Sequence, residues 1–219
     1  MTELHLLKPG EVPDSIRQGK FRHGEKFASA IASRHLQFVG IAGSVSYVPG
    51  ERDDVDMFII TRKNSLWTCM LMAYLTRFIG RSRDICLSLN MDVSYARYLF
   101  RTTRDPLIAS DSVHVVPIIG DAVYRELLSS SPFISELYPD RTGTTGEFSG
   151  YSENGMAGTI LDWVCFLILA PIVLLKGNMV NWYRRKHDRM KTFRLVIGRH
   201  CLFYDNLKYE IIRRNYYRK

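Results

Sequence analysis

The chain has 219 residues and a formal net charge of +8, a length that allows one large domain or two small ones. Hydrophobic residues make up 46% and charged residues 24%, which excludes a disordered chain, a collagen-like repeat and a protein with many membrane spans. The four cysteines form no CxxC motif or Cys/His cluster, and the N-terminal region lacks the apolar segment of a signal peptide. We therefore expect a cytosolic protein with reduced thiols.

The first part of the chain predicts helices alternating with apolar strands. In chain order, the predicted elements are an irregular arm at 1–20, a helix near 23–35, a strand ending at Gly43-Ser44, a strand at 54–60, a helix at 66–79 and a strand at 85–91. Ser65 and Gly80 flank the second helix as residues that favour its two ends. This order predicts an α+β fold.

The second part predicts further helices and a change of composition. The elements are helices near 94–100, 108–116 and 121–129, a short turn of helix opened by Pro132, and a Gly/Ser/Thr-rich linker or loop at 141–158. Residues 159–219 are first apolar and then basic, and we expect them to be helical. The domain prediction is a core at 1–140, the linker, and this C-terminal part.

One motif carries chemistry: Gly43-Ser44, nine intervening residues, and Asp54 and Asp56 before an apolar run. Carboxylates two apart on a strand point to one face, so this pair can hold divalent cations, and Mg²⁺ prefers such oxygen ligands. Two ions can clamp the attacking and leaving oxygens of a phosphoryl displacement. Gly43 lets the backbone approach a triphosphate, and Ser44 offers a hydroxyl and an amide N–H. The motif therefore predicts a metal–triphosphate site.

The same pattern resembles the signature of the DNA polymerase β-like nucleotidyltransferase superfamily over residues 36–61. Weaker similarity to small archaeal nucleotidyltransferase-domain proteins extends through segments such as RDICLSLNMD and VVPIIGDAVYRELL. The resemblance implies a mixed β-sheet flanked by helices, with Asp54 and Asp56 binding up to two Mg²⁺ ions. It also implies transfer of a nucleoside monophosphate from an NTP such as ATP to an acceptor hydroxyl, with release of pyrophosphate.

The superfamily uses a third acid on a later strand, and the sequence leaves its identity open. Strict alternation over 85–91 would put Cys86, Ser88 and Asn90 on the polar face, and the acids of that parity are Asp84 and Asp92. We favour Asp92 as the third catalytic residue and keep Asp84 as the alternative. Asp53 is expected to lie in the preceding loop. Without a third acid, the protein would bind nucleotide with little or no turnover.

The C-terminal part gives a third interpretation of the function. Thirteen uncharged residues at 163–175 are fewer than the roughly twenty needed to cross a bilayer, so we expect a buried helix kinked at Pro171, with a span or interfacial helix as alternatives. Residues 176–219 hold thirteen Lys or Arg against three Asp or Glu, while the other residues hold seventeen against nineteen. This segment could therefore bind an anionic partner, either RNA or an acidic membrane surface, in a peripherally associated protein.

Overall fold

The computed structural model describes residues 14–47, 53–82, 84–142, 148, 153–187 and 192–206. The strands are β1 (Leu36–Ala42), β2 (Val55–Thr61), β3 (Ile85–Asp92), β4 (Val116–Ile119), β5 (Phe193–Ile197) and β6 (Cys201–Asn206). The helices are α1 (Asp14–Ile31), α2 (Ser44–Tyr47), α3 (Leu66–Ile79), α4 (Val93–Thr102), α5 (Pro106–His114), α6 (Asp121–Ser129), α7 (Pro132–Leu137), α8 (Pro139–Thr142) and α9 (Met156–His187). The fold is α+β.

The six strands of these described ranges form one mixed sheet in the order β4-β1-β2-β3-β6-β5. β2 and β3 are parallel, and the other neighbouring strands are antiparallel. The predicted α+β class with a mixed sheet flanked by helices is therefore confirmed at this level. The parallel pairing matters for the site, because it places the start of β2 beside the start of β3.

Helices cover both faces of the sheet and create two apolar cores. Val55, Met57 and Ile59 of β2 pack with α1, α3 and α9, whereas Phe58 and Ile60 pack with α4, α6 and α7. A strand that is covered on both faces must be apolar at nearly every position, which explains the uninterrupted run after Asp56. This burial fixes the register of β2, and with it the position of the two acids that precede the run.

A β-bulge in β3 changes which side chains share a face. Asp56 pairs with Cys86, but Phe58 pairs with Leu89, so β3 holds one extra residue between these pairs. Leu87 consequently packs in the α3 and α9 core and Leu89 in the opposite one. Strict alternation over 85–91, which would put Cys86, Ser88 and Asn90 on one face and the apolar residues on the other, is wrong for this reason.

The C-terminal part is not wholly helical. β5 and β6 form an antiparallel hairpin, and β6 pairs with β3 through Asn90 and Leu202 among others. The helical prediction is therefore wrong for 193–206, because the strands of this hairpin are short apolar runs that only the neighbouring sheet distinguishes from helix. Residues 188–191 and 207–219 of the basic segment and half of the 141–158 linker lie outside the described residues.

Two smaller predictions also differ from the structure. The arm predicted at 1–20 is helical from Asp14 onward, and its earlier residues lie outside the described part. The helix predicted at 108–116 is α5, which ends at His114, and the following residues form the edge strand β4. Helix α3 has the predicted bounds, although the Ser65 side chain makes no capping hydrogen bond.

α9 is a continuous 32-residue helix that contains Pro171. Among the described helices it alone is long and apolar enough to cross a membrane, and only 22% of its most apolar window is buried. Its buried residues form one stripe that includes Asp162, Cys165, Leu169 and Val173. The prediction of a buried helix therefore holds for this stripe and is wrong for the rest of the helix surface.

Candidate functional site

The structure brings the four residues of the Gly43-Ser44 and Asp54/Asp56 motif together. β1 ends at Ala42, which pairs with Asp56 of the antiparallel strand β2. Gly43 and Ser44 follow directly, so the turn after β1 lies beside the acids at the start of β2. All four residues line one open cleft of about 1540 Å³, whose other lining residues come from the sheet and from helices that include α3, α5 and α9.

Gly43 has a backbone conformation that only glycine adopts without strain. Its φ angle is +66°, and a Cβ atom at this position would overlap the carboxylate of Asp56. The missing side chain leaves the backbone and the acid in direct contact. Ser44 begins the short helix α2, whose first turn is held by bonds from the Ser46 N–H and hydroxyl to the Gly43 carbonyl. The conformation of this turn therefore allows its backbone to lie close to the carboxylate of Asp56.

The two acids of the motif differ in environment. Burial raises the pKa of Asp56 from its ordinary value of 3.8 to about 6, although hydrogen bonds from Cys86 and Ser88 act in the opposite direction. The charge of Asp54 raises this pKa further. Asp54 is exposed, and its own pKa is raised by partial burial while the charge of Arg77 opposes the rise. The pair therefore favours a nearby cation.

We tested whether these residues fit a magnesium ion. Among the described residues there is no group of three or more His, Cys, Asp or Glu side chains that could hold a metal ion by themselves. Mg²⁺, however, is commonly held by one or two carboxylates together with substrate phosphates. Asp54 and Asp56 supply that donor set, and the space beside Gly43 leaves room for phosphates. The residues fit a magnesium ion that arrives with a phosphate ligand.

Basic side chains surround the acids and suit an anionic ligand. Arg77 of α3 and Lys176 and Arg184 of α9 line the same cleft. The charges of Arg77 and Arg184 act on the pKa of Asp54, which places both guanidinium groups within electrostatic reach of that carboxylate. A cleft that places these cations beside the Asp54/Asp56 pair can bind a metal-complexed polyphosphate.

The structure does not bring Asp92 to the pair. β3 runs parallel to β2, and Asp92 at its end pairs with Thr61, five residues or about 16 Å beyond Asp56 and on the other face. Asp92 is fully buried and caps α4, and it accepts bonds from the Ser94 and Tyr95 N–H groups. It also lies 2.6 Å from Nδ1 of His200. Its surroundings are those of a structural carboxylate, because the bulge and the strand direction both separate it from the cleft.

The two other acids that the sequence singles out lie near the pair. Asp84 precedes β3, and its charge acts on Asp54, but its carboxylate is 3.2 Å from Nε2 of His23. Asp53 lines the cleft, and its carbonyl accepts a bond from Lys20. Neither residue is on a strand that flanks Asp56.

Sequence reasoning missed two acids that line the cleft, Asp111 of α5 and Asp205 of β6. Because β6 pairs with β3, Asp205 lies one strand beyond Cys86 and Ser88. The signal for Asp205 was present: two apolar runs are separated by the turn-like segment Gly198-Arg199-His200, the pattern of a β-hairpin.

Comparison with known proteins identifies no relative: no family model matches the chain, and neither a curated protein nor a solved structure is significantly similar to it. The function must therefore be argued from the cleft itself.

Proposed function

We propose that the protein is a magnesium-dependent nucleotidyltransferase with a DNA polymerase β-like core. It would transfer a nucleoside monophosphate from an NTP to an acceptor hydroxyl and release pyrophosphate. The observation that carries this proposal is the contact between Gly43 and Asp56. It joins a backbone suited to phosphates to a carboxylate suited to the metal that accompanies them.

Each part of the cleft has a role in the proposed reaction. Asp54 and Asp56 hold one or two Mg²⁺ ions, which supply charge neutralisation at the phosphates. Gly43 and Ser44 position the triphosphate. The acceptor oxygen forms a bond to the α-phosphorus, the bond from that phosphorus to the bridging oxygen of the β-phosphate breaks, and the electron pair leaves with pyrophosphate. The chain contributes mainly positioning and electrostatic stabilisation.

Two further groups complete this arrangement. Arg77, Lys176 and Arg184 offset the negative charge of the pyrophosphate that leaves. Asp205 takes the place that the sequence prediction gave to Asp92 or Asp84, because it lines the same cleft as Asp56 from β6, the strand on the far side of β3. We assign it to orienting the acceptor and accepting the proton of the acceptor hydroxyl.

The test combines nucleotide binding with product release. The wild-type protein should bind NTP in titration calorimetry only when Mg²⁺ is present, and it should release pyrophosphate when a hydroxyl acceptor is supplied. Asp54→Asn combined with Asp56→Asn should remove both properties. Asp140→Asn, a change of the same kind at an exposed position on α8, is the matched control and should change neither. Metal-dependent binding that survives in the double variant would exclude the assignment.

A second candidate function is nucleotide binding without turnover. The observation in its favour is that Cys86 and Ser88, not an acid, lie beside Asp56 on the adjacent strand and hydrogen-bond to it. This candidate predicts Mg²⁺-dependent NTP binding with no pyrophosphate for any acceptor. The variant Ser88→Asp separates the two functions, because it restores an acid beside Asp56. If the Ser88→Asp variant releases pyrophosphate and the wild type does not, the wild-type protein binds nucleotide without turnover.

A further inference from the structure

Helices α3 and α9 present an apolar surface that the rest of the described chain does not cover. Phe78 and Ile79 of α3 are 84% and 76% exposed, and Leu167, Ile168, Ile172 and Leu175 of α9 are each more than half exposed. We call these six residues the apolar surface. Large exposed apolar areas on soluble proteins mark interaction sites, because leaving them in water costs free energy.

The two helices that carry the apolar surface are neighbours in the fold. α3 and α9 pack against each other, and Phe78, Ile79 and Ile172 border the same cleft. The opposite stripe of α9 is held against the sheet, where buried Asp162 forms an ion pair with Arg199 and accepts a bond from the Thr68 N–H. A helix tied to the core in this way cannot leave it to cross a bilayer without breaking a buried ion pair. The exposed side can instead lie along a surface.

The charge next to the apolar surface is positive. α9 ends in Arg184, Arg185, Lys186 and His187, and Lys176 lies within the helix. Within these two described helices the sole acid is Asp162, whose side chain is fully buried. A face that combines exposed apolar side chains with cations and no exposed carboxylate complements an anionic, partly apolar surface.

Aromatic side chains lie where the apolar and basic parts of α9 meet. Trp182 and Tyr183 are 62% and 60% exposed, and the ammonium group of Lys186 lies 4.0 Å from the centre of the Trp182 ring. Trp and Tyr are enriched at the level of lipid headgroups, because one part of the ring is apolar and the other forms hydrogen bonds. The order of apolar, aromatic and basic residues is that of a helix lying in a membrane interface.

We propose that the apolar surface of α3 and α9 docks in the plane of an anionic lipid bilayer, with the cations of the last turn of α9 at the headgroups. Two other partners fit the observations less well. A symmetric contact with a second copy would bring the same cations against each other if the two helices were parallel, and would leave them without acidic partners on the helices if they were antiparallel. RNA would use the cations but would leave Phe78, Ile168 and Ile172 exposed, since nucleic-acid contacts are polar and charged.

The test uses the full chain in vesicle flotation. The wild type should float with vesicles of phosphatidylcholine and phosphatidylglycerol, and should stay in solution with phosphatidylcholine alone. Ile168→Gln combined with Ile172→Gln should weaken this partition by roughly tenfold or more, because two anchoring side chains are lost. Arg185→Gln combined with Lys186→Gln should weaken it as well, and less so at high salt. Tyr98→Gln, at an exposed aromatic on α4 across the sheet, is the matched control and should leave it unchanged.

Tryptophan fluorescence gives a second measurement, which does not depend on how much protein is recovered in the flotation experiment. The protein has three tryptophans, and Trp67 is fully buried while Trp163 and Trp182 are exposed. Brominated lipids should quench the emission, and Trp182→Phe should reduce the quenching. Circular dichroism shows that each variant is folded before it is compared.

Five results would overturn the proposal. The first two are that the wild type does not float with anionic vesicles, or that the Ile168/Ile172 variant floats as well as the wild type. The third is that alkaline carbonate does not extract the bound protein, as expected of a membrane span. The fourth is that the wild type is a dimer in solution and that the same variant is a monomer. Binding to RNA that the same variant removes would also count against it. Although Ile172 borders the nucleotide cleft, these outcomes concern binding to vesicles, to RNA or to a second copy. The function proposed for the cleft is tested through Asp54 and Asp56, so the two proposals fail separately.

Discussion

The carboxylate of Asp56 occupies the space that a side chain at Gly43 would need. Asp56 lies in β2 and Gly43 directly follows β1, and the pairing of Ala42 with Asp56 brings the two residues together. This arrangement has two costs in free energy. The backbone of Gly43 loses conformational freedom, and the half-buried carboxylate of Asp56 loses part of its hydration. Such an arrangement is expected where the backbone must come close to a ligand.

Gly43→Ala should therefore damage both stability and binding. The left-handed backbone alone costs about 1–2 kcal/mol for a residue with a Cβ atom, and the overlap with Asp56 adds to this cost. We expect a lower melting temperature and loss of Mg²⁺-dependent NTP binding. Gly19→Ala is the matched control, because a Cβ atom there meets nothing within 4 Å and α1 should gain about 0.5–1 kcal/mol. Equal behaviour of the two variants would contradict the role given to Gly43.

Asp56→Asn should stabilise the metal-free protein above neutral pH. The folded-state pKa of Asp56 is raised to about 6, so the protonated form favours folding at low pH. That contribution is fully present below 3.8 and is lost as the pH rises through about 6. At about pH 8 the wild type has lost this contribution. In the presence of a chelator at that pH, the free energy of unfolding of the variant should therefore exceed that of the wild type by about 1–3 kcal/mol. Urea unfolding at about pH 4 and 8 tests this, and a difference that does not grow with pH would disprove it.

Asp92→Asn should act on stability and not on nucleotide binding. Burial acts to raise the pKa of Asp92, but hydrogen bonds from His200, Ser94 and Tyr95 outweigh it and hold the pKa below 3.8. The stabilisation is therefore present above 3.8 and is lost as the pH falls through the lower, folded-state value. We expect a loss of about 1–3 kcal/mol at neutral pH that shrinks in acid, with unchanged NTP affinity. A variant of normal stability without turnover would return Asp92 to the catalytic site.

Asp162→Asn should release α9 from the sheet. The fully buried carboxylate is paired with Arg199 and lies 2.7 Å from the Thr68 N–H, so the amide would leave a guanidinium group without its counter-charge. Breaking a buried pair in this way costs about 3–5 kcal/mol. The matched control is Asp121→Asn, which removes an exposed pair with Arg125 and should cost about 0.5 kcal/mol or less. Similar urea midpoints for both variants would show that the buried pair does not hold the helix.

Local signals in the sequence were enough to predict the motif and its surroundings. The bounds of α3 follow from Ser65 and Gly80, and the turn at Gly43 follows from two apolar runs that flank a polar one. Asp54 and Asp56 were assigned to one site because alternation along a strand depends only on neighbouring residues. The structure places both acids in one cleft with Gly43 and Ser44.

The position of a third acid depended on long-range pairing that the sequence does not contain. Asp92 shares the parity of Cys86 and Ser88 only if β3 is regular, and the bulge beside Phe58 breaks that rule. The parallel direction of β3 relative to β2 also depends on how both strands pair with the rest of the sheet, which local sequence patterns do not show. Asp205 could be found only by recognising that a hairpin near the C-terminal end joins the same sheet.

The place of β6 between β3 and β5 has a consequence for how the protein is made. During synthesis, β3 leaves the ribosome about a hundred residues before its neighbour, since Leu89 pairs with Phe203. Until then one edge of β3 has no partner strand, and the apolar residues of β2 and β3 lack the cover that α9 provides. The sheet can therefore be completed only after the hairpin of β5 and β6 has been made, and completing it closes the long loop between β3 and β6.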